Sequence, residues 1–184
     1  NDGSVVRTSS AVGGDAASAI ASDADVDIYE TKALVDQYLG LHFPSSGMEE
    51  GVSAILEHNG APIHALEFPQ RVAQLAAELR GNERSTGRAL DIGCAVGGSS
   101  FELAASGFND VVGFDYSQSF VDAANDMKNN KDLTFRVPLE AETYTEVSAM
   151  HQHNVNEEVR NRCTFQTGDA CNLVNDFNNG TLGT

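Results

Sequence analysis

Three carboxylates stand where strand-forming residues give way to turns. Asp91 closes Arg88-Ala89-Leu90-Asp91-Ile92 before the glycine-rich run Gly93-Cys94-Ala95-Val96-Gly97-Gly98. Asp115 ends Asp110-Val111-Val112-Gly113-Phe114-Asp115, and Asp169 follows Arg162–Thr167 in Gly168-Asp169-Ala170. A glycine-rich turn between a strand and a helix lets a ligand approach the backbone and offers it the unpaired N–H groups of the helix N-terminus. A carboxylate at such a place accepts protons from hydroxyls or amines and attracts a cation. The chemistry implied is the binding of a nucleoside-like cofactor.

Two cofactor classes use this kind of turn. A dinucleotide needs glycine at three spaced positions and sets its pyrophosphate on the helix N-terminus. Here those positions are Gly93, Ala95 and Gly98, so the middle one fails, and the loop has no Lys or Arg for a triphosphate. Asp91 adds negative charge beside the loop, which disfavours a pyrophosphate and suits S-adenosylmethionine, with its ammonium group and cationic sulfur. Asp115 is placed to accept both ribose hydroxyls, a device dinucleotide enzymes share; its other reading is a cap for the next helix. Asp169 is placed to take the exocyclic amine of adenine and the Ala170 N–H to meet a ring nitrogen, although a Gly-Asp pair is also an ordinary turn. Three strand ends in order are far more specific than any one of them.

The elements that must position these residues alternate. The strand Arg88–Ile92 reads as short and buried. A helix over Ser99–Ala105 is closed by Gly107, the strand Asp110–Asp115 follows, and Ser117 caps a helix through Phe120, Val121, Ala124 and Met127. This βαβα order with short links implies parallel strands and an α/β fold. Leu133–Val137 reads as a further strand stopped by Pro138, and the next stretch as a polar insertion before the strand Arg162–Thr167. Upstream, Leu34, Val35, Tyr38, Leu39 and Leu41 recur at helical spacing until Pro44. A second helix opens at Pro69, carries Val72, Leu75, Ala76 and Leu79 on one face, and ends at Arg80, leaving Asn82–Gly87 as a loop. Residues 49–68 are ambiguous, and residues 1–26 carry too little periodic apolar surface to offset the entropy of ordering them.

The 184 residues carry a formal charge of −16 and 41% hydrophobic residues, enough for one globular domain. Such acidity opposes phosphate backbones and anionic lipid, so neither a nucleic acid nor a membrane is expected as partner. No run of 18 apolar residues and no signal peptide is seen. Cys94, Cys163 and Cys171 form no C-x-x-C pair, so no disulfide framework or zinc site is expected, and a cytoplasmic setting fits. The start at Asn1 suggests a processed product or a piece of something longer.

Leu90-Asp91-Ile92-Gly93-Cys94-Ala95-Val96-Gly97, Ser99-Ser100-Phe101-Glu102-Leu103-Ala104 and Val112-Gly113-Phe114-Asp115-Tyr116-Ser117 resemble class I methyltransferases dependent on S-adenosylmethionine. Closer still is the resemblance to the C-terminal methyltransferase domain of ovothiol synthases. It rests on Tyr29-Glu30-Thr31, Leu34-Val35-Asp36-Gln37-Tyr38-Leu39, Leu41-His42-Phe43, the Cys94–Gly97 form of the loop, Phe135-Arg136-Val137-Pro138 and Phe165–Leu173, and covers about residues 27–175. It implies a Rossmann-like fold and a small-molecule acceptor, 4-mercaptohistidine, methylated on a ring nitrogen. The same resemblance implies a sulfoxide synthase fused to the chain or acting with it. Asp91, Gly93, Cys94, Ala95, Gly97, Asp115, Tyr116, Asp169 and Ala170 become the cofactor contacts. Residues 27–87 become an acceptor-side helical segment or lid, and residues 88–184 the first half of the cofactor domain, cut after its third core strand. The family has glycine where this chain has Ala95, which is tolerable only if φ there is not forced positive.

The implied reaction is attack of an unprotonated ring nitrogen on a methyl carbon in line with the leaving sulfur, with the protein supplying alignment. Tyr29, Tyr38 and His42 are candidates for the acceptor pocket, and each also has an ordinary packing role. His151 and His153 lack ligand partners at metal spacing and read as a solvated loop, and Cys94 as a packing residue. A methyltransferase for another small acceptor and a non-catalytic module that keeps the loop for the fold remain open. A dinucleotide oxidoreductase is disfavoured by Asp91 and Ala95.

Overall fold

The structure, a computed structural model, describes residues 28–44, 60, 63–80, 87–140, 143–151 and 154–172. The readings of residues 1–26, of the 49–59 stretch, of the loop over 82–86 and of His153 lie outside them. Strands β1 (Arg88–Ile92), β2 (Asp110–Asp115) and β5 (Cys163–Thr167) form a parallel sheet in the order β1-β2-β5. Leu90 faces Val112, which faces Thr164, and Asp115 faces Thr167. That register brings the ends of all three strands, and so all three carboxylate-bearing turns, to one edge.

The remaining elements are helices α1 (Lys32–His42), α2 (Phe68–Arg80), α3 (Gly98–Ala105), α4 (Gln118–Lys128) and α5 (Glu157–Asn161), with strands β3 (Leu133–Pro138) and β4 (Tyr144–Ala149). Ser117 caps α4 as its sequence position predicts, its Oγ accepting from the Phe120 N–H at 3.1 Å. Packing of α3 on β2 and β5 is close because Gly113 has no side chain: a Cβ there would meet Ser100 Oγ at 2.7 Å and the Phe165 ring at 2.8 Å. The core joins Val96, Phe101, Val111, Phe120, Met127 and Phe165 to Leu39 and Phe43 from the N-terminal segment.

Four sequence expectations are corrected. β1 is not buried: Leu90 is 39% and Ile92 50% exposed, because β2 is its only strand partner among the described residues. The stretch after Pro138 is not a plain insertion. Pro138 itself ends β3, which pairs antiparallel with β4 in a separate hairpin whose alternating Val147 and Ala149 are buried. α2 turns the other way from its apolar stripe. Val72, Leu75 and Leu79 are exposed, while Gln70 and Ala73 are buried, since small residues and the Gln70 amide permit close packing on α3 and α1. His151 is no solvated residue: its Nε2–H donates to the Met127 carbonyl at 2.7 Å, and its ring stands edge-on to Phe101 at 4.6 Å. Burial pushes that imidazole below its usual pKa range.

Candidate functional site

The glycine loop is held by backbone hydrogen bonds, two of them to β2, and by two distant side chains. The N–H groups of Gly93 and Cys94 donate to the Phe114 carbonyl at 2.9 and 3.1 Å, and that of Gly97 to the Cys94 carbonyl at 2.9 Å. The Ala95 N–H donates to Asp115 Oδ2 at 2.9 Å, and the Gly98 N–H to His42 Nδ1 at 3.1 Å. Of the six N–H groups from 93 to 98, only that of Val96 has no partner among the described residues. A pyrophosphate binds through such free N–H groups, so the loop is not built to hold one.

Ala95 corrects the condition set on it by sequence. Its φ is +46°, in the left-handed region, and the residue is buried. An alanine there costs about 1 kcal/mol against glycine, and the Asp115 carboxylate holds the N–H that the strained turn presents. Cys94 is fully buried with its Sγ 3.7 Å from the Ala95 carbonyl. Burial and the nearby Asp91 and Asp115 carboxylates push its thiol far above the usual range, so it carries no thiolate.

Asp115 ties three segments together. Besides the Ala95 N–H, its Oδ1 accepts from the Ser117 N–H at 3.0 Å, and its carbonyl accepts from the Gly168 N–H at 2.9 Å. It therefore supports the turn into α4 rather than capping the helix, a part Ser117 plays. Part-buried Asp115 retains lone pairs for hydroxyl donors. Tyr116 beside it is 71% exposed. Asp91 holds the start of α3, its Oδ2 accepting from Ser99 Oγ at 2.7 Å and Ser100 Oγ at 2.6 Å. On the third strand end, exposed Asp169 accepts from the Cys171 N–H at 2.8 Å, with Ala170 exposed in the same turn.

The N-terminal segment lies along this edge. Ser117 Oγ donates to the Tyr29 carbonyl at 2.9 Å, and the Tyr38 ring packs tilted against Phe120 with centroids 4.6 Å apart. Glu30, not singled out by sequence reasoning, accepts from the N–H groups of Gln118 and Ser119 at 2.9 and 3.0 Å and from Ser119 Oγ at 2.7 Å. The Ser119 hydroxyl holds its carboxyl below the usual carboxylate range. A carboxylate at a helix N-terminus is a recognisable signal, but here it arrives from a remote segment and no spacing reveals it. His42 is buried, and desolvation lowers its pKa to about 4, leaving Nδ1 as an unprotonated acceptor. The structure thus brings Tyr29, Tyr38 and His42 to the edge that carries Asp91, Asp115 and Asp169; His153 lies outside the described residues.

Carboxylates and a loop without an anion nest fit a cofactor bearing cationic and hydroxyl groups and no phosphate. Among the described residues no group of His, Cys, Asp and Glu is arranged to hold a metal ion, and no helix is long and apolar enough to cross a membrane. No curated protein matches the sequence. Residues 90–181 match the family described as "Methyltransferase domain", a span that opens two residues into β1 and covers half the chain. With a Rossmann-like parallel sheet and the glycine loop at its edge, the chain belongs to this family, the class I methyltransferases that depend on S-adenosylmethionine.

Proposed function

We propose that the chain uses S-adenosylmethionine to methylate a ring nitrogen of a small thiol-histidine, 4-mercaptohistidine, in ovothiol biosynthesis. The cofactor part of this reading is carried by the loop N–H groups already engaged within the chain, beside the part-buried Asp91 and Asp115. The acceptor part is supported by the sequence resemblance running through Tyr29–Phe43 and Phe165–Leu173. When bound, S-adenosylmethionine supplies an electrophilic methyl group. Asp115 would accept from the ribose hydroxyls, Asp169 and the Ala170 N–H would face adenine, and the loop from Gly93 to Gly97 with Tyr116 would line the cofactor. Tyr29 and Tyr38 stand on the segment that would border the acceptor. A mercapto-imidazole offers an unprotonated nitrogen near neutral pH, so alignment and a hydrogen-bond acceptor suffice. The acidic chain suits a small-molecule partner rather than nucleic acid or an anionic membrane, and a cytoplasmic setting with a sulfoxide synthase fused or acting alongside completes the proposal.

Calorimetric titration tests the cofactor. S-adenosylmethionine should bind the wild-type chain, NADH should not, and Asp115→Ala should abolish binding; NADH binding in its place would overturn the reading. Incubation with 4-mercaptohistidine should then yield a product with one added methyl on a ring nitrogen. A methylated acceptor of another kind would keep the cofactor and discard the substrate.

A further inference from the structure

His42 comes from α1, yet its side chain enters the glycine loop. Its Nδ1 accepts the Gly98 N–H at 3.1 Å across 56 positions of sequence, at the first residue of α3. The fit is tight in both directions. A Cβ on Gly98 would stand 2.6 Å from that Nδ1 and 2.8 Å from Gln70 Nε2, and Gln70 Nε2 in turn donates to the His42 carbonyl. The imidazole is 4% exposed, so its lone pair, rather than water, satisfies one of the N–H groups that a helix N-terminus leaves open.

Resting on the S-adenosylmethionine reading above, we propose that His42 is a positioning residue for the cofactor loop, through which docking of residues 28–44 is coupled to cofactor binding. Two observations carry it. Among the described residues, His42 and Asp115 are the side chains that bond the backbone N–H groups of the loop, and Asp115 belongs to the sheet itself. The same segment is fixed at its other end to α4 beside Asp115, by Glu30 on Gln118 and Ser119 and by the Tyr29 carbonyl on Ser117. Residues 28–44 therefore span from the ribose end of the proposed site to the start of α3. A neutral acceptor at this spot also denies it to anions, because the N–H that would attract one is already bonded.

The test is titration of S-adenosylmethionine into wild type, His42→Ala and His42→Asn, whose Oδ1 can take the place of Nδ1. The Ala variant should bind about tenfold more weakly, a loss of one charge-free hydrogen bond and its ordering. The Asn variant, or added imidazole with the Ala variant, should restore the affinity. A merely structural residue would give a loss that neither Asn nor imidazole repairs, and that result, or a folded Ala variant with wild-type affinity, overturns the inference. If His42→Ala does not fold, wild type decides by 15N spectroscopy of the imidazole. Nδ1 must be unprotonated and its signal must move when the cofactor binds; a protonated Nδ1, or a signal that ignores bound cofactor, refutes the role. A wild-type chain that binds no S-adenosylmethionine overturns the cofactor reading along with this one, whereas failure confined to the His42 variants touches this one alone.

Discussion

The two ends of the sheet edge are built in opposite ways. At residues 93–98 the backbone is buried from Cys94 onward and held by partners far off in sequence: Phe114, Asp115 and His42. At residues 168–172 the turn is largely exposed and mostly holds itself, with Asp169 accepting from Cys171 through its side chain and from Asn172 through its carbonyl. Both carry an aspartate at a strand end, and both are short, yet the first depends far more on the rest of the fold for its shape, the second having one such backbone bond, from the Gly168 N–H to the Asp115 carbonyl. A motif of given composition can thus be either a product of tertiary structure or a local turn, and the hydrogen-bond partners decide which.

Substitutions can break this contrast. Asp115→Ala removes the acceptor of two backbone N–H groups, one of them at the left-handed Ala95, and should lower stability by about 4 kcal/mol at roughly 2 kcal/mol per charge-assisted bond. Urea denaturation measures it, and a loss near zero would mean that the loop holds itself. Acid should act next. His42 has its pKa lowered from 6.5 to about 4 by burial, so the unfolded chain binds the proton more readily than the folded one. Its contribution is full above pH 6.5 and is lost as pH falls from there through about 4, a drop on the order of 3 kcal/mol. His151 shifts in the same direction, so the comparison that isolates the effect is wild type against His42→Asn, in which this part of the slope should vanish. The smallest change expected is Asp169→Ala, about 0.5 kcal/mol for an exposed turn. A cost equal to that of Asp115→Ala would erase the difference between the two ends.

The same contrast explains what was legible in sequence. Arg88–Ile92 and Asp110–Asp115 were bounded correctly because β-branched and apolar runs end at glycine and aspartate, signals contained within a few residues. Ser117 as a cap needed only its neighbours. The hairpin partner Tyr144–Ala149 went unread because its polar residues face solvent, leaving Val147 and Ala149 as weak alternation. The buried face of α2 was misread for a different reason: its apolar stripe is real, but Gln70 and Gly98 make the opposite face the one that fits against α3. In the candidate site, Asp91, Asp115 and Asp169 were visible as strand-end carboxylates. Their bonds to Ser99, Ser100 and the Ala95 N–H were not, and neither was the role of Glu30, since a hydrogen bond across 88 residues leaves no spacing to detect.

That long bond bears on the order of events in folding. Glu30 reaches Gln118 and Ser119 only after β2 and α4 exist to present them, and closing so long a stretch of chain is entropically dearer than forming any local turn. Docking of residues 28–44 is therefore expected to come after formation of the sheet. The amides of Gln118 and Ser119 become natural reporters of it, since their exchange with solvent deuterium is slow when the segment is latched and fast when it swings free.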